Sequence, residues 1–162
     1  MTTSGGEGVG PQTTLAIILG AQNFPRSPNL ESLPAFANSA NDFKRYLLDI
    51  EAFGLPKSNL LDLFDSRKAP SDLLEEVSAF LKAKREESKK GVSVRDLIVY
   101  YTGHGGFTSG REYFLAVEAT RQKLEGATSL RMSDLASAIK EQARNLRRYL
   151  ILDCCFSAAA FK

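Results

Sequence analysis

The chain has 162 residues, 43% of them hydrophobic and 25% charged, with a formal net charge of +2. That is enough apolar material for one domain with a real core. The charge is too small to argue for nucleic acid or an anionic membrane as a partner, and no apolar run approaches the ~18 residues of a membrane span. Basic clusters occur at Lys82-Ala83-Lys84-Arg85 and from Arg144 to Arg148, but the first runs into Glu86 and Glu87 and reads as a solvated helix face. One His and two adjacent Cys fall short of the three or four ligands of a zinc site. Adjacent cysteines do not staple a fold, so a cytoplasmic, reducing compartment is expected.

Residues 1–11 are rich in Gly, Thr and Ser and lack the basic-then-apolar pattern of a signal peptide. They read as a flexible tail, with residues 12–162 as a single domain. Thr13 to Ala21 is a continuous apolar run that suits a strand buried on both faces. Phe36, Ala40, Phe43, Leu47 and Ile50 recur at helical spacing and predict an amphipathic helix over 36–50, ended by Gly54 and Pro56. Asn59 to Asp65 is a second strand candidate. Pro70-Ser71-Asp72 opens a second helix carrying Leu73, Leu74, Val77, Phe80 and Leu81 on one face, with Glu75 close to a capping-box position.

Asp96 to Thr102, DLIVYYT, is a third strand rich in β-formers, and it runs directly into Gly103-His104-Gly105-Gly106. Arg111 to Glu118 suits a smaller strand, half of a hairpin. Met132-Ser133-Asp134 is expected to cap a third helix that carries Leu135, Ile139 and Leu146. Arg148 to Asp153 is a fourth core strand, ending on Cys154-Cys155. Alternation of strands and helices predicts an α/β layer structure with a mostly parallel sheet.

In such sheets ligands bind beyond the carboxyl ends of the strands. Two core strands here end on reactive side chains, His104 and Cys155. If the strands are parallel neighbours, both emerge on one edge. A thiol is a weak nucleophile at neutral pH until a base or an electropositive setting generates thiolate, and imidazole is the natural base. His104 is the only His, so any His-assisted step must use it. Gly103, Gly105 and Gly106 leave room for a substrate backbone. The backbone N–H groups of Gly105 and Cys155 are candidate oxyanion donors.

The motifs YYTGHGG, from Tyr100 to Gly106, and LILDCCFSA, from Leu150 to Ala158, resemble the two signatures of the caspase-like peptidase clan. The resemblance spans the chain from the first strand to the end. Asp153-Cys154-Cys155-Phe156-Ser157 is similar to the Asp-x-Cys-x-Ser pattern of metacaspases and bacterial orthocaspases, and it selects Cys155 over Cys154 as the nucleophile. The chain departs from the family at Ala158, where Gly is common, and at Phe156, where His is frequent.

The resemblance implies a caspase-like three-layer sandwich that lacks the C-terminal small-subunit strands. It implies a cysteine endopeptidase that cleaves after Arg or Lys, with an acidic specificity pocket formed by Asp153, by Asp42 of the Asn41-Asp42 pair, and by Thr102. A buried substrate cation needs such an anion. The end at Phe161-Lys162 suits self-cleavage after a basic residue, and truncation would leave the same end. The expected partners are a protein or peptide substrate with a basic cleavage residue and a C-terminal small-subunit fragment that pairs with the open sheet edge.

No cofactor is expected. Calcium, which many metacaspases need, is not favoured, because Asp134 alone among the acids between His104 and Cys155 falls near the family's acid cluster and is more simply a helix-start residue. The alternative reading is a catalytically silent caspase-like scaffold that binds partners, although both reactive residues are present. A nucleotide-binding fold would want a Gly-rich loop after the first strand, where Gly20-Ala21-Gln22-Asn23-Phe24 offers one Gly. Legumain-like and gingipain-like peptidases share the His-Gly and Cys logic, but the Asp153-x-Cys155 spacing favours the metacaspase side.

Overall fold

The computed structural model describes residues 9–155. Phe156, Ser157, Ala158 and the Phe161-Lys162 end lie outside the described residues, as does most of the expected tail. Pro11–Thr13 forms a 3-10 turn rather than continuing that tail, and the Gly10 carbonyl accepts from Thr14 Oγ1 at 2.7 Å.

In chain order the elements are β1 (Thr14–Gly20), α1 (Pro34–Leu48), β2 (Leu60–Asp62), α2 (Pro70–Ser88), β3 (Asp96–Thr102), β4 (Gly105–Phe107), β5 (Tyr113–Leu115), α3 (Glu125–Thr128), β6 (Leu130–Arg131), α4 (Met132–Gln142) and β7 (Arg147–Asp153). A four-stranded sheet has the order β2-β1-β3-β7 with every pairing parallel. A small antiparallel sheet, β4-β5-β6, sits beyond β3. The architecture is α/β with a central parallel sheet and helices on both faces.

Alternate residues of each strand face opposite ways, so the layers follow from the sequence parity. Leu15, Ile17 and Leu19 join Leu97, Val99 and Tyr101 on the face covered by α2 (Leu73, Val77, Leu81) and α4 (Leu135, Ile139). Ala16, Ile18 and Tyr100 face α1 through Ala40 and Leu47. The division of helices follows from connection handedness. The chain steps from β1 outward to β2, then back across β1 to β3, then on to β7. Right-handed crossovers put the first connecting helix on one face and the next two on the other.

α2 starts at Pro70 and α4 at Met132, as the sequence suggests, but the capping differs from expectation. α2 begins with Pro70 at its first position and no side chain caps it, so Glu75 closes no capping box. The N-cap position is Ala69, which has no side-chain acceptor for the N–H groups of the first turn. α4 has Arg131, not a residue of the 132–134 triplet, at its N-cap, and Arg131 Nε donates to Asp134 at 2.7 Å. Leu146 lies past the end of α4 and packs on the core from the loop before β7.

β7 is an outer strand. Its Leu150 and Leu152 pack inward, whereas Tyr149 and Ile151, on the α1 side, are 40% and 43% exposed because no helix among the described residues covers that flank. At the other end of the sheet, Asp96 is fully buried and accepts two bonds from the Arg147 guanidinium, at 2.7 and 2.9 Å, which ties the start of β7 to β3.

Leu135 is completely buried between α4 and the sheet. Leu135→Ala should lower unfolding free energy by about 3 kcal/mol through lost burial and the cavity left behind, read from urea titration.

Candidate active site

Parallel register carries the reactive residues to one edge. β3 and β7 pair residue for residue from Asp96↔Arg147 to Thr102↔Asp153, so both strands stop together. Beyond that point Gly103 N–H donates to the Asp153 carbonyl at 3.4 Å. Gly103 takes φ +153°, and a Cβ there would stand 2.6 Å from the Tyr101 hydroxyl. Glycine is required for the chain to turn over that tyrosine into His104.

A Cβ on Gly105 would lie 2.3 Å from the Tyr113 hydroxyl and 2.8 Å from the Cys155 carbonyl oxygen. The residue next to His104 therefore touches the backbone of Cys155, and only the missing side chain permits it. Gly105 faces Leu115 across the β4–β5 ladder, while Ala116 N–H takes the His104 carbonyl at 2.9 Å. That makes Gly105–Leu115 a non-hydrogen-bonded pair, and the Gly105 N–H points away from β5.

His104 is held from three sides. Its Nε2 lies 2.7 Å from the Glu31 carbonyl oxygen. A carbonyl only accepts, so Nε2 carries the proton, and in neutral imidazole the lone pair is left on Nδ1. Phe24 and Phe36 place their rings 5.1 and 5.0 Å from the imidazole, the latter edge-on. The backbone is pinned from beneath by Tyr101, whose hydroxyl proton is shared between the His104 carbonyl at 2.7 Å and the Ala116 carbonyl at 2.8 Å. Tyr101 is fully buried, and that burial pushes its phenol well above the usual value.

The two cysteines differ. Cys155 is exposed. Cys154 is half-buried, its sulfur 3.2 Å from the Tyr113 hydroxyl, and burial pushes its thiol up. The Tyr113 hydroxyl also donates to the Cys155 carbonyl at 2.7 Å. Burial, and then its bond to Cys154, keep the Tyr113 phenol protonated far above neutral pH.

The three residues assigned to a specificity pocket are not equally placed. Thr102 is fully buried, and its Oγ1 reaches the Asp153 carboxylate at 3.5 Å, the outer limit of a hydrogen bond. Tyr100 approaches the same carboxylate oxygen at 3.2 Å. Desolvation, and then the Asp153 charge, push the Tyr100 phenol up. Asp153 itself is exposed. Asp42 lies more than two turns into α1, exposed, with its carboxylate on Arg45 at 2.6 Å. Among the described residues the side chains bonded to the Asp153 carboxylate are Tyr100 and Thr102, and Asp42 is bonded to Arg45 instead.

Sequence reasoning missed the Glu31 carbonyl, the Phe24–Phe36 clamp and the two tyrosines. A backbone carbonyl leaves no mark on the sequence. The tyrosines do leave one: a Tyr inside an apolar strand must find a partner for its hydroxyl, and Tyr101 and Tyr113 find theirs in the two reactive segments.

A cavity of about 400 Å³ bordered by Leu15, Leu81, Val94, Gln142 and Leu146 opens at the opposite, amino-terminal edge of the sheet and has no part in this arrangement. No helix among the described residues is long and apolar enough to cross a membrane. No protein-family model matches the chain, and no curated protein matches it.

The difference between the thiols is testable by alkylation. A raised thiol pKa means less thiolate at a given pH. With Cys155→Ala, Cys154 should react with iodoacetamide more slowly than free cysteine at about pH 8. With Cys154→Ala, Cys155 should react readily, as followed by intact mass.

Proposed function

We propose that the protein is a cysteine endopeptidase of the metacaspase and orthocaspase type, cleaving after Arg or Lys with Cys155 as nucleophile and His104 as base. The observation that carries this reading is the fixed imidazole. Nε2–H is committed to the Glu31 carbonyl, which frees Nδ1 for a thiol proton, and the glycine beside it lies against the Cys155 backbone.

In this reading His104 Nδ1 takes the proton from Cys155, and the thiolate attacks the carbonyl carbon of the scissile peptide. The N–H groups of Gly105 and Cys155 receive the developing oxyanion. His104 returns the proton to the leaving amine, and water attacking the thioester releases the acid and restores the thiol. The Glu31 carbonyl steadies the imidazolium that forms between these steps. No cofactor enters the mechanism, and calcium is not required by it.

Asp153 is the acid for the substrate cation, oriented by Tyr100 and Thr102. Asp42 joins it only if its bond to Arg45 is exchanged for substrate. The open β7 edge, with Tyr149 and Ile151 exposed beside it, favours a C-terminal small-subunit fragment as the partner strand. The setting is cytoplasmic, where thiols stay reduced. A silent scaffold would have no need to orient the imidazole in this way.

Fluorogenic peptides ending in Arg, Lys or Asp, assayed with full-length protein, test the reading. Turnover after Arg or Lys is expected. It should vanish in Cys155→Ala and fall by about 10²–10⁴-fold in His104→Ala. Asp153→Asn should raise KM for basic peptides by roughly tenfold, the loss of one charge-assisted bond. Turnover after Asp would leave the dyad and remove the basic specificity; activity surviving in Cys155→Ala would remove the nucleophile.

A further inference from the structure

The Tyr113 hydroxyl stands between the two cysteines and is bonded to both segments of the pair, 2.7 Å from the Cys155 carbonyl and 3.2 Å from the Cys154 sulfur. A phenol has one proton to donate. The carbonyl can only accept, so the proton goes to Cys155 O, and the phenol oxygen is left to accept from the Cys154 S–H. The ring is 6% exposed and braced edge-on by Phe107 at 5.4 Å. Phe107 is its cross-strand partner in the β4–β5 ladder. The hydroxyl thus sits at a fixed height on β5, and Gly105 leaves just the space it occupies.

We infer that Tyr113 is a positioning residue that fixes the Cys155 peptide against the His104–Gly105 segment. The inference rests on the proposed peptidase chemistry but reaches a residue outside it. The hydroxyl holds the main chain that carries the nucleophile and one oxyanion donor. Without the hydroxyl, the Cys155 carbonyl loses its link to β5, and the turn that ends β7 is free to drift from the histidine.

Tyr113→Phe removes the hydroxyl and keeps the ring. In full-length protein it should lower kcat for an Arg peptide by about 10- to 100-fold, the usual effect of a small misplacement of a reacting group, with KM unchanged. Cys154→Ala should retain kcat, because the bond to the Cys155 carbonyl survives. Thermal unfolding should differ little between Tyr113→Phe and Cys154→Ala, so stability does not account for the contrast. Unchanged kcat in Tyr113→Phe, or an equal loss in Cys154→Ala, overturns the inference. Iodoacetamide labelling separates its failure from that of the peptidase reading. If the native protein turns over no peptide, slower labelling of Cys155 in Tyr113→Phe still supports the positioning role, and equal rates refute it.

Discussion

The direction in which the chain crosses its sheet governs everything at the reactive edge. From β1 the chain moves outward to β2, and from β3 it moves the other way to β7. The connections after β1 and β3, two strands that lie side by side, therefore leave towards opposite faces and open a crevice at their carboxyl ends. The segment after β1 brings Phe24, Glu31 and Phe36 to one wall, and the segment after β3 brings His104 to the other. The bond between the Glu31 carbonyl and His104 Nε2 closes across that crevice. A topology running in one direction would have sent both segments to the same side and left the imidazole without its carbonyl.

Within that frame, backbone contacts do most of the orienting. Tyr101 holds the His104 main chain and Tyr113 holds the Cys155 main chain, both through carbonyl oxygens. These hydroxyls are buried or nearly so, and each is satisfied, which keeps the cost of burying a polar atom low while locking the segments in place. The glycines complete the fit. At Gly103 and Gly105 the space that a side chain would fill is taken by the two tyrosine hydroxyls. Tyrosine and glycine are thus reciprocal at both positions.

β1 and β3 were legible because buried parallel strands read as unbroken apolar runs, and TLAIILG and DLIVYYT are such runs. The hairpin was half legible. YFL carried a strand signal, but GGF has no periodicity, and Arg111 adopts φ +62°, so β5 starts two residues later than the pattern suggested. NLLDLFD reads as one strand; regular β2 ends at Asp62, but Leu63 and Asp65 N–H still donate to the Ile18 and Gly20 carbonyls of β1 at 2.8 and 3.0 Å. His104 and Cys155 could be matched from sequence because parallel neighbours end together. Asp42 could not be placed that way. α1 begins at Pro34, two residues ahead of the expected start at Phe36, and Arg45, an i,i+3 neighbour on the helix, takes the carboxylate instead of leaving it to a pocket.

The two reactive residues do not hang on equally secure strands. His104 follows β3, paired on both sides in the middle of the sheet, whereas Cys155 follows β7, which among the described residues is paired on one side and covered on one face. Outer elements with few neighbours open at a fraction of the free energy of global unfolding. Detaching β7 from β3 would carry the thiol away from the imidazole and leave the core of α2, β1 and β3 intact. In the proposed peptidase, the stability of one edge strand, not of the domain, is therefore the quantity that sets how much of the population is assembled for chemistry. Anything that binds along that edge acts on this equilibrium without touching either reactive side chain.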